Sequence, residues 1–193
     1  MIWNLPNLLT LFRIAVIPVI VVVFYLPVMW AGEAAAWLFL AATITDFFDG
    51  WLARRWGQES PLGAFLDPVA DKLLVGVVLV LLVQSDPSIW VAVAAAIIIG
   101  REITISALRE WMAELGKRAA VAVSYVGKIK TTAQMSSLVL MLYSDPIAGL
   151  PTYTIGFYLL YAAAVLTLWS MIIYLRAAMP VLLGSYESGV DDA

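Results

Sequence analysis

Six apolar stretches, each about as long as a bilayer is thick, dominate the sequence. They fall at residues 14–30, 34–53, 66–84, 88–108, 122–143 and 154–176, and a transmembrane helix needs about 20 apolar residues. Charged residues make up 13% of the chain, whereas soluble globular domains carry about 25%. The pattern predicts an all-α, polytopic membrane protein of six transmembrane helices, with residues 1–193 in a single membrane-embedded domain. Residues 1–10, where polar side chains interrupt apolar ones, are predicted to form a short interfacial segment.

The basic residues are sorted to one side of this predicted bundle. All eleven Lys and Arg residues lie outside the breaks near residues 27–33, 85–88 and 144–153. Cytoplasmic segments of membrane proteins are enriched in Lys and Arg. Both termini, and the loops joining the second span to the third and the fourth to the fifth, are therefore predicted to be cytoplasmic. Chemistry supported by these charges is expected to face the cytoplasm.

Two residue types are missing from the chain. Cys and His are both absent, which excludes disulfides, thiolate metal sites, catalysis by Cys or His, and histidine-bound zinc. A metal bound here would take oxygen ligands, and the ions that prefer oxygen are Mg²⁺, Mn²⁺ and Ca²⁺.

Four aspartates are spaced as two pairs. Asp46 and Asp49 are three residues apart near the end of the second span, and Asp67 and Asp71 are four apart near the start of the third. Both spacings place side chains on one helix face, and the hairpin between the spans is expected to bring the two faces together. Four desolvated carboxylates stay ionised only beside compensating cations. Two divalent ions about 3.5–4 Å apart, as used in phosphoryl displacement, would supply that charge.

Small and basic residues accompany the aspartates. Gly50 and Ala53 continue the face of the first pair, and Gly63 precedes the second pair. They would let a bulky ligand approach the backbone, although small residues on membrane helices also serve helix packing. Arg54 is interpreted either as a substrate contact or as part of the topology signal.

The spacing of these residues is that of a known family signature. The string Asp-x2-Asp-Gly-x2-Ala-Arg-x8-Gly-x3-Asp-x3-Asp runs without departure from Asp46 to Asp71, and by it the chain resembles the CDP-alcohol phosphatidyltransferase family. Residues 7–13, 100–111 and 126–134 resemble members whose acceptor is glycerol 3-phosphate. The resemblance implies a six-helix fold, a homodimer, Mg²⁺ or Mn²⁺ as cofactor and a bacterial inner membrane; the number of two ions rests on the four carboxylates. The implied reaction transfers the phosphatidyl group of CDP-diacylglycerol to sn-glycerol 3-phosphate, giving phosphatidylglycerol phosphate and CMP.

The resemblance also implies roles for single residues. Asp46, Asp49 and Asp67 would bind metal, and Asp71 would both bind metal and act as general base on the acceptor hydroxyl. The positions that resemble the family's site for the CDP-lipid are Asn7, Thr10, Gly50, Ala53, Arg54, Ser60 and Gly63. Direct in-line displacement is the preferred mechanism, because no covalent nucleophile is evident and a carboxylate base has only to reach the hydroxyl. A two-step route stays open.

The phosphate of the acceptor requires fixed positive charge. The candidates beyond the signature are Arg101, Arg109, Lys128 and Lys130. Arg101 and Arg109 are eight residues apart, which returns to nearly the same helix face. Arg101 lies deep in a span, so pairing with Glu102, Glu110 or a phosphate is expected. For the two lysines, snorkelling to the membrane interface is an equally good interpretation.

Two rival functions remain open on the sequence. The same signature serves enzymes whose acceptor is serine, inositol phosphate or phosphatidylglycerol. A small cation transporter could also hold acids in its spans, but it would place them near the middle of the membrane at an alternating gate. Here the acids cluster at one cytoplasmic end beside cations, which favours an enzyme. The expected partners are CDP-diacylglycerol, glycerol 3-phosphate and membrane lipids, and no nucleic acid.

Overall fold

The structure, a computed structural model, describes residues 5–56, 60–116, 125–147 and 149–187, without the side chains of 5–6, 47–56, 125–128 and 182–187. The described residues form six α-helices and no β-strand, which confirms the predicted all-α fold. The helices are α1 (Leu5–Phe24), α2 (Ala31–Trp56), α3 (Pro61–Ser85), α4 (Ile89–Glu114), α5 (Tyr125–Tyr143) and α6 (Thr152–Glu187).

The first helix begins earlier than the apolar pattern predicts. It runs from Leu5 to Phe24, so the described part of the predicted interfacial segment is continuous with the first span. The reason is that Asn7, Thr10 and Arg13 are three residues apart and share one helix face. All three are buried, which means that their polarity is directed into the protein and does not interrupt the helix. The helix ends shortly before Pro27.

Three of the helices are long and apolar enough to cross a membrane by length and composition. The qualifying segments are Asn7–Phe24 in α1, Ile89–Glu114 in α4 and Thr152–Val181 in α6. The last helix extends well beyond the predicted end of its span at residue 176. Together the helices make this a membrane protein, and a membrane crossing by each of α2, α3 and α5 stays a prediction.

Close backbone contacts determine how α5 packs against its neighbours. A Cβ at Gly156 of α6 would lie 3.0 Å from the Ser137 carbonyl oxygen of α5, and one at Gly32 of α2 would lie 2.8 Å from the Leu142 carbonyl oxygen. The Ser137 hydroxyl donates to the Gly156 carbonyl oxygen across the α5–α6 contact (2.7 Å). Small residues at such contacts let membrane helices approach closely.

The loops after α1, α3 and α5 lie at the same end of the bundle. Tyr153 at the start of α6 donates to Asp86 in the α3–α4 loop, and Thr152 donates to the Asp145 carbonyl oxygen in the α5–α6 loop (2.6 Å). Gly32, just after the α1–α2 loop, contacts the end of α5. These are the three loops without Lys or Arg. The helix bundle therefore has one end whose loops lack basic residues, and the opposite end is called the basic end.

Candidate active site

Three of the four signature aspartates line one cavity at the basic end. Asp46 comes from α2, and Asp67 and Asp71 come from α3; the cavity has a volume of about 930 Å³. Asp46 and Asp71 also line a second cavity of about 550 Å³, whose other lining residues are four apolar side chains and four Ser or Thr side chains. The structure thus places Asp46 on the same cavity as the second acid pair, and the meeting of both complete pairs stays a prediction.

A buried arginine of α1 contacts two of these acids. Arg13 is fully enclosed, with 0% of its side chain exposed, and its Nη1 forms an ion pair with Asp46 Oδ1 and lies 3.6 Å from Asp71 Oδ1. A desolvated charge persists in a protein only when it is paired. Arg13 therefore holds Asp46 of α2 and Asp71 of α3 towards a common point beside α1.

Two further polar residues of α1 contact the start of α3. Thr10 donates a hydrogen bond to Asp67. The Ser60 hydroxyl caps α3 by accepting from the Gly63 amide (3.0 Å) and donates to Asn7 Oδ1 (2.8 Å). A Cβ at Gly63 would lie 2.6 Å from Asn7 Oδ1. These four predicted lipid-site residues, Asn7, Thr10, Ser60 and Gly63, thus form one continuous contact between α1 and α3.

The donor set suits a hard divalent cation. The acids offer only carboxylate oxygens, which Mg²⁺ and Mn²⁺ accept. Among the side chains that the structure describes, no three acids are close enough to share one ion, and Asp46 and Asp67 are instead held by Arg13 and Thr10. The side chain of Asp49 lies outside the described residues, as do those of Gly50, Ala53 and Arg54. The metal ligands stay a prediction.

Charged side chains of both signs from α4 and α5 line the larger cavity together with the acids: Glu102, Arg109, Glu110 and Lys130. Lys130 is buried, and its Nζ lies 2.7 Å from Glu102 Oε1. Arg109 lies over the ring of Tyr174, with its Cζ 5.1 Å from the ring centroid, and its Nη2 donates to the Tyr174 hydroxyl (3.2 Å). Glu102, Arg109 and Lys130 all line the cavity.

Arg101 has a different setting from the other predicted phosphate ligands. Its Nη2 donates to Ser170 of α6 (3.0 Å), and its Nη1 lies 3.3 Å from Glu102 Oε1. The expected pairing with Glu102 is confirmed. Arg101 lines neither cavity, so its contacts join α4 to α6. The side chain of Lys128 lies outside the described residues.

Several cavity residues carried no site prediction. Lys72, Thr131 and Gln134 line the larger cavity, and Arg13 supports its acids from behind. Lys72 adjoins Asp71 in the sequence, and Arg13 lies in the conspicuous run at residues 7–13. Both residues were therefore visible in the sequence. The partners of Arg13 are on other helices, however, and no spacing along the chain indicates which residues share a cavity.

Comparison with known proteins points to one family. A family model described as CDP-alcohol phosphatidyltransferase matches residues 3–169. A protein of Escherichia coli named CDP-diacylglycerol–glycerol-3-phosphate 3-phosphatidyltransferase is 57% identical over 181 residues, which is 94% of this chain and 98% of that protein. A protein of Shigella flexneri with the same name has the same identity and coverage.

Proposed function

This chain belongs to the CDP-alcohol phosphatidyltransferase family, and from that premise we propose a specific activity. We propose that it is a CDP-diacylglycerol–glycerol-3-phosphate 3-phosphatidyltransferase. The enzyme transfers the phosphatidyl group of CDP-diacylglycerol to sn-glycerol 3-phosphate and releases CMP. The relatives' shared name supports this reaction, since 57% identity extends over nearly the whole of both chains. The observation in the structure that carries the proposal is the shared boundary of the two cavities at Asp46 and Asp71.

The two cavities differ in character in the way that the two substrates do. Besides the acids, the smaller one is lined by Leu40, Met135, Val139 and Leu140, which suit the acyl chains of a lipid. Its other lining residues are hydroxyl-bearing: Thr43, Thr131, Thr132 and Ser136. The larger one is lined by Lys72, Arg109 and Lys130 as well as by the acids, and these cations suit a small phosphorylated alcohol. The reacting phosphorus would lie where the two meet.

The cytidine diphosphate group of the lipid is assigned to the α1–α3 contact and the adjoining turn of α2. Support comes from the polar face of α1, on which Asn7 and Thr10 are buried against Ser60 and Asp67. Asn7 and Thr10 line neither cavity, so they would position the site from behind. Gly63 keeps that face close to α3, since any side chain there would displace Asn7. Gly50, Ala53 and Arg54 keep their predicted role in the same site.

Asp46, Asp49, Asp67 and Asp71 would hold Mg²⁺ or Mn²⁺, with two ions the proposed number. Bound there, the metal supplies positive charge that neutralises the pyrophosphate and stabilises the departing CMP. Arg13 supports the same acids as a permanent counter-charge from the protein itself. Asp46 and Asp71 already contact the Arg13 guanidinium.

Asp71 is proposed as the general base. Its side chain is 42% exposed, so it is accessible to an acceptor in the larger cavity. The carboxylate takes the proton of the acceptor's terminal hydroxyl, whose oxygen forms a bond to the phosphorus that carries diacylglycerol. The bond from that phosphorus to the bridging pyrophosphate oxygen breaks, and CMP leaves with the bond's electron pair. A base within about 2.6–3.2 Å of the hydroxyl can perform this step.

Arg109 and Lys130 are the best supported ligands for the acceptor phosphate, because both line the cavity. Arg109 is stacked on Tyr174, which fixes the plane of its guanidinium. Lys128 keeps its predicted role on sequence grounds. Arg101 would act on this site through Glu102, which it shares with Lys130.

The enzyme is further proposed to be a homodimer in the inner membrane of a bacterium. Both termini and the active site would face the cytoplasm, from which water-soluble glycerol 3-phosphate is supplied. The one-sided distribution of Lys and Arg supports this orientation.

The test is CMP release by the purified full-length protein in detergent with CDP-diacylglycerol. Glycerol 3-phosphate should support turnover, and serine, inositol phosphate and phosphatidylglycerol should not. EDTA should abolish activity, and Mg²⁺ or Mn²⁺ should restore it. Turnover with another acceptor alone would reassign the substrate, and full activity in thorough chelator would remove the metal from the proposal.

A further inference from the structure

Gln134 of α5 is a buried polar side chain that the reaction as proposed does not use. Only 3% of the residue is exposed, and its Oε1 has no hydrogen-bond partner among the residues that the structure describes. Buried amide oxygens are nearly always hydrogen-bonded, because leaving one unsatisfied is costly. Such an oxygen indicates a ligand where its side chain lines a binding cavity. The Gln134 Oε1 is enclosed by protein atoms, so a rotation of the side chain would present the amide to that ligand.

The position of Gln134 is in the larger, polar cavity. It lines that cavity together with Asp71 and Lys130 and does not line the smaller one. On α5, Gln134 follows Lys130 by four residues, so the two side chains lie on one helix face about one turn apart. The amide is thus a neighbour of a proposed phosphate ligand in the cavity that also holds the proposed base.

We propose that the Gln134 amide binds the middle hydroxyl of the acceptor and so makes the enzyme selective for a polyol phosphate. This inference rests on the proposed function. The acceptor has three polar groups: Asp71 serves the terminal hydroxyl, and Arg109 and Lys130 serve the phosphate. The middle hydroxyl is the group left without a protein partner. A hydroxyl can donate and accept at once, so it matches an amide that requires a partner.

The experiment compares two acceptors that differ only in this hydroxyl. Glycerol 3-phosphate has it, and 3-hydroxypropyl phosphate keeps the reacting hydroxyl and the phosphate but lacks it. We expect wild-type kcat/KM to be about five- to tenfold higher for glycerol 3-phosphate, as one hydrogen bond allows. Gln134→Leu should lower kcat/KM for glycerol 3-phosphate by that factor and leave the value for 3-hydroxypropyl phosphate within about twofold.

Two further variants protect the comparison. Gln84→Leu removes an exposed glutamine that lines neither cavity and should leave the ratio between acceptors unchanged. Gln134→Asn keeps an amide but shortens the side chain by one methylene, so it should lose part of the discrimination between the two acceptors. This variant replaces Gln134→Leu in the comparison if the Gln134→Leu protein does not fold.

The outcomes separate this inference from the function on which it rests. A wild-type protein without turnover on glycerol 3-phosphate would contradict the function itself. Normal wild-type turnover with an unchanged acceptor ratio in Gln134→Leu and Gln134→Asn would overturn the role of Gln134 and leave water as the amide's partner. Equal losses on both acceptors would overturn it too, because the amide would then support the site and not read the hydroxyl.

Discussion

Arg13 is the residue whose surroundings are least expected from its chemistry. Its guanidinium is charged at any working pH, yet the side chain is fully buried. Asp46, Asp67 and Asp71 bring three negative charges to the adjoining cavity, and Arg13 supplies one positive charge to two of them. The acids therefore need Arg13 and further cations together.

Replacing Arg13 should expose this shared role. In Arg13→Leu, Asp46 and Asp71 lose a buried counter-charge, and breaking a buried pair typically costs about 3–5 kcal/mol. The melting temperature in detergent should fall by several degrees, and Mg²⁺ should recover more of it than in the wild type, since the ion supplies the missing charge. Thermal melts with and without Mg²⁺ measure both effects.

The matched control for that experiment is Arg176→Leu. Arg176 is exposed on α6, so its removal should change the melting temperature little and leave the Mg²⁺ effect as in the wild type. Equal stabilisation by Mg²⁺ in the wild type and Arg13→Leu would show that Arg13 and the metal do not act on the same acids.

Asparagine substitutions should separate the base from the metal ligands. Asp71→Asn keeps the size of the side chain but cannot take a proton, so kcat should fall by about 10²–10⁴ while CDP-diacylglycerol still binds. Asp49→Asn should instead weaken metal binding, and raised Mg²⁺ should partly restore its turnover. A metal titration of CMP release distinguishes the two. Near-normal turnover of Asp71→Asn at high Mg²⁺ would make Asp71 another ligand.

At the residue scale, the sequence was enough to single out the aspartates but not the residues of other helices that surround them. Helical spacing was enough to pair Asp67 with Asp71, because both belong to one helix. Arg13 and Gln134 acquire their roles from contacts with other helices or from a cavity, neither of which leaves a period in the sequence. Arg101 and Glu102 were correctly expected to pair, since they are adjacent along the chain.

At the scale of helices, the α1–α3 contact is the one to which the lipid's cytidine diphosphate group is proposed to bind. It depends on the absence of a side chain at Gly63, where a Cβ would approach Asn7 Oδ1 to 2.6 Å and Ser60 Oγ to 3.2 Å. The same serine caps α3, so a shift of Asn7 would disturb both the cap and the interhelical bond.

Gly63→Ala should therefore lower kcat/KM for CDP-diacylglycerol, by about 10- to 100-fold if the aspartates move by about an ångström. Gly76→Ala is the control on the same helix, because a Cβ built there has no atom within 4 Å among the described residues beyond its own turn of helix. Its activity should stay within about twofold of the wild type. Steady-state kinetics at varied lipid concentration measure both, and an unaffected Gly63→Ala would place the cytidine group elsewhere.

Helix number was predictable where helix ends were not. Apolar length indicates a span directly, which is why all six helices were found. The start of α1 was misplaced because Asn7 and Thr10 appear to the hydropathy pattern as interruptions, whereas in the fold they are buried against α3. A hydropathy score treats every residue of a span as lipid-facing, so it cannot recognise polar residues of a transmembrane helix that face other helices.

At the scale of the whole molecule, labelling of single cysteines tests which end of the helix bundle faces the cytoplasm. The chain contains no cysteine, so single cysteines can be introduced without a background. Those placed near Ser60 and Gly116 should be protected from an impermeant thiol reagent in right-side-out vesicles, and those near Gly32 and Gly149 should react. The reverse labelling pattern would place the active site outside the cytoplasm.

The shared boundary of the two cavities also bears on inhibition. A compound confined to the polar side would compete with the acceptor alone, and its potency would fall as cellular glycerol phosphate rises. A compound with a phosphate at one end and an alkyl chain at the other would reach past Asp46 and Asp71 into both compartments. Linking the two binding groups makes the second contact intramolecular, so the alkyl arm would raise potency even where the phosphate end binds weakly. Structure-guided screening against this enzyme would therefore favour amphiphilic phosphonates over either fragment alone.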